Sequence, residues 1–150
     1  MDEQITDEER KEFQQELAEL REAQNTVERL EGQTEALSSR IEEIESTLET
    51  LDGLDDAESG SEILVPIGSG SFIPAEIKDP DRVLSNLGAE LVAERPPKEV
   101  KKLLNKRKKD FENSREQAEE KIEELEDRIE ELRPKMQKFM ARAQAEQEQR

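Results

Sequence analysis

Carboxylates are the only reactive groups this chain holds in quantity. Asp and Glu number 40 against 23 Lys and Arg, with no His and no Cys. Acid pairs such as Glu119-Glu120 and Glu123-Glu124 could do general acid–base work only in a pocket that drives their pKa values apart. Here they recur along a helical pattern, on what reads as a solvated face. Lack of His removes the commonest general base. Lack of Cys removes the activated thiol, disulfide frameworks and Cys/His metal sites. Gly68-Ser69-Gly70-Ser71 is followed by neither Lys nor a helix, so it reads as a hairpin turn and not a phosphate loop. The expectation is a protein that is not an enzyme and uses no cofactor and no metal.

Composition sets the frame for these residues. Charged residues make up 42% of the 150 and hydrophobic residues 31%, too little apolar content for a compact globular domain of this length. Seven-residue periodicity then selects coiled coil over disorder. The net charge of −17 argues against nucleic acid and against anionic membrane as partners. It also fits a halophilic source. The acidic start, MDEQITDEER, has no apolar core of a secretory signal, and no apolar run nears the length of a membrane span. A cytoplasmic protein is expected.

Between two heptad arms lies a segment of different character, 62–95, punctuated by Gly and Pro. Its β-branched runs, bounded by turn residues, predict four strands. Ile63–Ile67 and Ser71–Ile77 form one hairpin. Arg82–Leu87 and Ala89–Glu94 form a second. Their apolar positions are Ile63, Val65, Ile67, Phe72, Ile73, Ile77, Val83, Leu84, Leu87, Leu91 and Val92. Hairpins this small bury too little to stand alone, and nothing else in the chain offers a cover. The expected cover is the same region of other subunits, with strand edges paired between chains.

The arms are predicted at 6–52 and 97–147. The first has its N-cap at Thr6 and stops near Gly53. Its seam reads Phe13, Leu17, Leu20, Ala23, Val27, Leu30, Thr34, Leu37, Ile41, Ile44, Leu48, Leu51, in steps of four and three. Two successive threes at Leu17–Leu20–Ala23 make a stammer. The second arm opens at Pro96-Pro97. Its seam reads Leu104, Lys108, Phe111, Arg115, Ala118, Ile122, Leu125, Ile129, Leu132, Met136, Phe139, Ala143. Arms of roughly 65–75 Å that leave one strand region can lie back on each other as an antiparallel pair. Leu51 then falls near Val100, and Phe13 opposite Phe139. The basic start of the second arm, from Lys98 to Lys109, would face the acidic end of the first, which has no Lys or Arg between Arg40 and Lys78. A nucleic-acid patch is the weaker explanation, since no aromatics interleave these cations. Pro134 is expected to kink the second helix, at a cost of about 3 kcal/mol. Beyond it, Phe139 and Met140 are adjacent and cannot share one seam, so one faces outward. With Met136 and Phe13 they read either as ordinary seam residues at a fraying tip or as an adaptable apolar surface at the arm ends.

The central segment, ILVPIGSGSFIPAEIKDPDRVLSNLGAELVAER, resembles that of archaeal prefoldin α subunits. Val65, Pro66, Gly68, Gly70, Phe72, Asp79, Pro80 and Gly88 fit the family pattern, and two hairpins point to the α type over the single-hairpin β type. The resemblance implies an α + β fold, a long antiparallel coiled coil whose two hairpins oligomerise into a β-barrel platform. It implies an ATP-independent holding chaperone of the cytosol. Two α subunits would join four prefoldin β subunits, and the arm tips would hold non-native proteins and pass them to a group II chaperonin. On this chain the tip residues would be Phe13, Leu17, Met136, Phe139 and Met140. The alternatives are a structural coiled-coil scaffold or filament, and an adaptor tethering two specific proteins.

Overall fold

A computed structural model describes residues 4–86 and 91–150. Two long helices bracket four short strands: α1 (Asp7–Leu54), β1 (Glu62–Gly68), β2 (Ser71–Glu76), β3 (Val83–Asn86), β4 (Val92–Arg95) and α2 (Pro97–Glu148). The chain divides into two compact units, Met1–Leu37 with Asn113–Arg150, and Ser38–Glu112.

The start of α1 is fixed by a reciprocal cap. The backbone N–H of Glu9 donates to Thr6 Oγ1 at 3.1 Å, and the N–H of Thr6 donates to Glu9 Oε2 at 2.8 Å. Asp7, Glu8 and Glu9 in the first turn suit the positive end of the helix dipole. The helix runs past Gly53 to Leu54, slightly beyond the expected stop. Its last turn is closed by backbone bonds from Asp55 to Asp52 and from Ala57 to Leu54. Helix α2 opens on Pro97, whose fixed φ suits a first helical position, while Glu99 and Val100 donate to the carbonyl of Pro96. It continues through Pro134 to Glu148.

In the unit of Met1–Leu37 and Asn113–Arg150, the helices pack antiparallel along the expected seam. Ala23, Val27 and Leu30 are buried from α1, and Ala118, Ile129, Leu132 and Met136 from α2. Leu20, Ile122 and Leu125 pack against the cluster of Ala23, Val27 and Ile129. Leu132 is sealed completely, at 0% exposure. Leu17, Leu20 and Ala23 all turn inward despite the two short steps between them. Arg128 clamps Glu19 with two hydrogen bonds, at 2.7 and 3.2 Å, and holds its carboxyl below the usual range.

In the unit of Ser38–Glu112, Ile41, Ile44, Leu51 and Val100 are buried, with Leu48, Leu104 and Phe111 half-buried. The Arg40 guanidinium lies 5.7 Å from the centroid of the Phe111 ring, within cation–π range. Lys101 reaches Asp55 at 2.7 Å and Asp52 at 3.0 Å, and Lys108 reaches Glu45 at 3.2 Å. Asp55 and then Asp52 push the Lys101 ammonium pKa upward. The expected attraction between basic and acidic blocks therefore holds for two seam lysines. It does not hold for Lys98, Lys102, Lys106, Arg107 and Lys109, which are exposed and reach no carboxylate among the described residues, because they project away from α1.

Strands β1 and β2 form one antiparallel two-stranded sheet, and β3 and β4 form another. Ser69 and Gly70 both take positive φ, 49° and 74°, at the turn between β1 and β2. Two such residues give the hairpin turn whose twist matches its strands. Register shifts between Pro66 and Gly68, so Ile67 sits at a bulge. Among the described residues the second hairpin pairs Val83 with Arg95 through Asn86 with Val92, and its expected tip, with Ala89, falls outside them. Leu91 precedes β4, Ile77 follows β2, and Leu87 lies outside the described residues.

Candidate functional site: hairpin faces and helix ends

The first hairpin is apolar on both faces. Partners across an antiparallel ladder share a face, and neighbours along a strand alternate. Val65 pairs with Ile73 and Ile63 with Ala75 on one face. Leu64 pairs with Pro74 and Pro66 with Phe72 on the other. Among the described residues nothing covers either face. Leu64 is 63% exposed and Phe72 55%, with Ile63, Val65, Ile67 and Ile73 also open to solvent. A strand that is apolar on both sides is the pattern of a sheet buried on both sides. The base of the hairpin is tied locally. The N–H of Gly60 donates to Ile77 O at 2.6 Å, the N–H of Ile77 to Ser61 O at 2.8 Å, and Ser59 Oγ to Lys78 O at 2.8 Å.

The second hairpin is half covered. Val83, Ser85, Ala93 and Arg95 share one partly buried face, while Leu84 and Val92 are exposed on the other. Arg82 and Glu94 pair across its base, with Arg82 Nε donating to Glu94 Oε2 at 3.2 Å.

The helix ends are closed on themselves. Phe13 and Phe139 stack with ring centroids 4.1 Å apart and 14° between planes. Met136 is buried and Leu17 half-buried. Of the expected tip residues, only Met140 stands free, at 60% exposure. Ile5, just ahead of the cap, is buried as well. It lines a groove of about 450 Å³ with Phe13, Leu17, Phe139 and Ala143. Its signal was its place directly before a capping Thr. The closure is braced by charge. Arg142 Nη1 donates to Glu9 Oε1 at 2.9 Å, so Glu9 serves its own helix cap and the facing helix at once. Arg142, then Thr6, holds the Glu9 carboxyl below its usual value. Arg10 lies 3.6 Å from Glu146, and Lys135 3.9 Å from Glu16.

Paired heptad helices joined through two small hairpins define the class. The prefoldin family profile, described as "Prefoldin subunit", matches residues 23–142. A protein described as "Prefoldin subunit alpha" from Methanosarcina acetivorans is 42% identical over 67 residues, 45% of this chain and 47% of that protein. One of the same description from Methanobrevibacter smithii is 30% identical over 102 residues, 68% and 69% of the two chains. The match thus spans about half of the first relative and two thirds of the second. A solved structure described as filamentous PFD from Methanocaldococcus jannaschii superposes with a TM-score of 0.67 at 27% identity, covering 77% of this chain and 95% of that one. The chain belongs to the prefoldin family, and within it to the α-subunit branch found in archaea. The coiled coil with two hairpins read from the sequence is the fold observed.

Proposed function

We propose that this chain is the α subunit of an ATP-independent holding chaperone. Its hairpins join those of prefoldin β subunits, two α with four β, in a β-barrel platform. Its arm ends hold non-native proteins and deliver them to a group II chaperonin in the cytoplasm. One observation carries this most directly: the first hairpin bares apolar side chains on both faces and on open edges. Burial of such faces is worth about 25 cal/mol per Å² and requires another chain.

Holding follows from Met140 and from the apolar residues behind it, Phe13, Leu17, Met136 and Phe139. A client reaches those four when the helix ends part. A tip offering about 200–300 Å² of apolar area gains some 5–8 kcal/mol before ordering costs. Each contact is weak and reversible, and several tips on one platform raise the effective concentration. The acidity supports a halophilic source, for which the check is a melting temperature that rises in molar KCl. The filamentous relative is the one observation on the side of a scaffold or filament, while the α-subunit relatives favour a chaperone subunit.

The test is to remove residues up to Phe13 and beyond Arg133 from the chain assembled with its β subunit. The complex should keep its mass and lose its suppression of client aggregation. Full suppression by the truncated complex would place holding elsewhere.

A further inference from the structure

The opening of α2 concentrates positive charge in an acidic protein. Residues 98–109 hold seven cations and one carboxylate, a net +6, in a chain whose total is −17. Among the described residues only Lys101 and Lys108, both half-buried, are neutralised across the helix pair. Lys98, Lys102, Lys106 and Lys109 follow at intervals of four, four and three, which aligns them as one stripe. All four are exposed and reach no carboxylate among the described residues. Leu103 is also open, at 41% exposure, one position beyond Lys102 and one turn before Arg107. Cations at an N-terminus oppose the helix dipole, and lysines at i, i+4 repel one another.

We propose that this stripe docks a short acidic segment of a partner protein, with Leu103 receiving an apolar residue of that segment. Charge complementarity selects the sign of the occupant. The stripe spans about 16 Å along the helix, the length of about five residues of extended chain. A long polyanion is disfavoured. In the same unit, Glu42, Glu43 and Glu49 of α1 are exposed, and no aromatic side chain interleaves the lysines to stack a base. A short segment also uses the apolar contact at Leu103, which a nucleic-acid backbone cannot.

The experiment uses the full-length chain in its purified assembly. The probe is a fluorescein-labelled ten-residue peptide of Glu and Asp with two central leucines, followed by anisotropy. Saturable binding is expected, weakened about tenfold or more on moving from 0.1 to 0.4 M KCl. The triple variant K102Q/K106Q/K109Q should lose about tenfold or more in affinity, and Leu103→Ser about threefold. The control R21Q/R29Q/K121Q, with the same change in net charge, should stay within about twofold. Folding does not confound the result, because removing like charges leaves the melting temperature of the triple variant unchanged or higher. Absence of saturable binding, equal loss in the control, or unchanged binding by the triple variant would overturn the proposal. So would tighter binding of a twenty-nucleotide single strand that displaces the peptide. Protection of these lysines from acetylation in the assembly would also overturn it, since a neighbouring subunit would then own the stripe.

Discussion

Phe13 stacks face to face on Phe139, so the two helices meet through their aromatic residues at the point where a client is proposed to bind. The same contact that closes the end must be given up for the rings to reach another chain. The ring stacking is a modest part of that closure, beside the ion pairs that brace it. An aromatic pair contributes about 0.5–1.5 kcal/mol beyond its burial. A double-mutant cycle with Phe13→Ala and Phe139→Ala, read by urea unfolding of the complex, should return a coupling in that range. Coupling near zero would mean that the rings do not meet in solution.

Met140 separates holding from stability. It is exposed and packs into no seam. Met140→Ser should change unfolding free energy by less than about 0.5 kcal/mol. It should nonetheless reduce suppression of light scattering by an aggregating test protein. Unchanged suppression would remove Met140 from the client surface.

Pro134 sits inside α2, where it leaves one backbone carbonyl without its helical partner. It lines a groove of about 620 Å³ with Val27, Ile129 and Arg133. Pro134→Ala should stabilise the helix by up to about 3 kcal/mol. Calorimetry of the complex is the check, and a lower melting temperature would contradict it.

Glu9 gives the helix end a pH dependence with a definite sign. Arg142 and Thr6 depress its pKa below the usual 4.5. A depressed carboxylate adds stability that is present above the unfolded value and is lost as pH falls through the folded one. Glu9→Gln should therefore melt below wild type at pH 7, and the gap should close as pH falls below 4.5. A gap that persists in acid would assign the effect to the cap geometry alone.

Much of this molecule was legible in its residues. Every position picked by steps of four and three, from Phe13 to Leu51 and from Leu104 to Ala143, is at least half-buried, because a coiled-coil seam depends on local spacing. The Phe13–Phe139 meeting followed from arms of similar length. Gly68 to Ser71 disclosed a turn, because only certain residues tolerate positive φ. The bulge at Ile67 was not legible, since register is settled between strands and not within one. Nor was the second role of Glu9, which required knowing that Arg142 lies within reach. Along the sequence the lysines of α2 form one block expected to face α1. A one-dimensional pattern shows charge, whereas direction around the helix separated Lys101 and Lys108 from their neighbours. Site assignment was least legible, because the hydrophobicity that marks a client surface also marks a seam.

The central claim is that the hairpins are incomplete within one chain. Sedimentation velocity on the wild type and on Val65→Asp, at concentrations from micromolar down to nanomolar, tests it most directly. The wild type should sediment as a multi-subunit complex. Val65→Asp should fall to single chains or aggregates with its helical circular dichroism preserved. A wild-type chain that sediments as one cooperative monomer at nanomolar dilution would contradict the account.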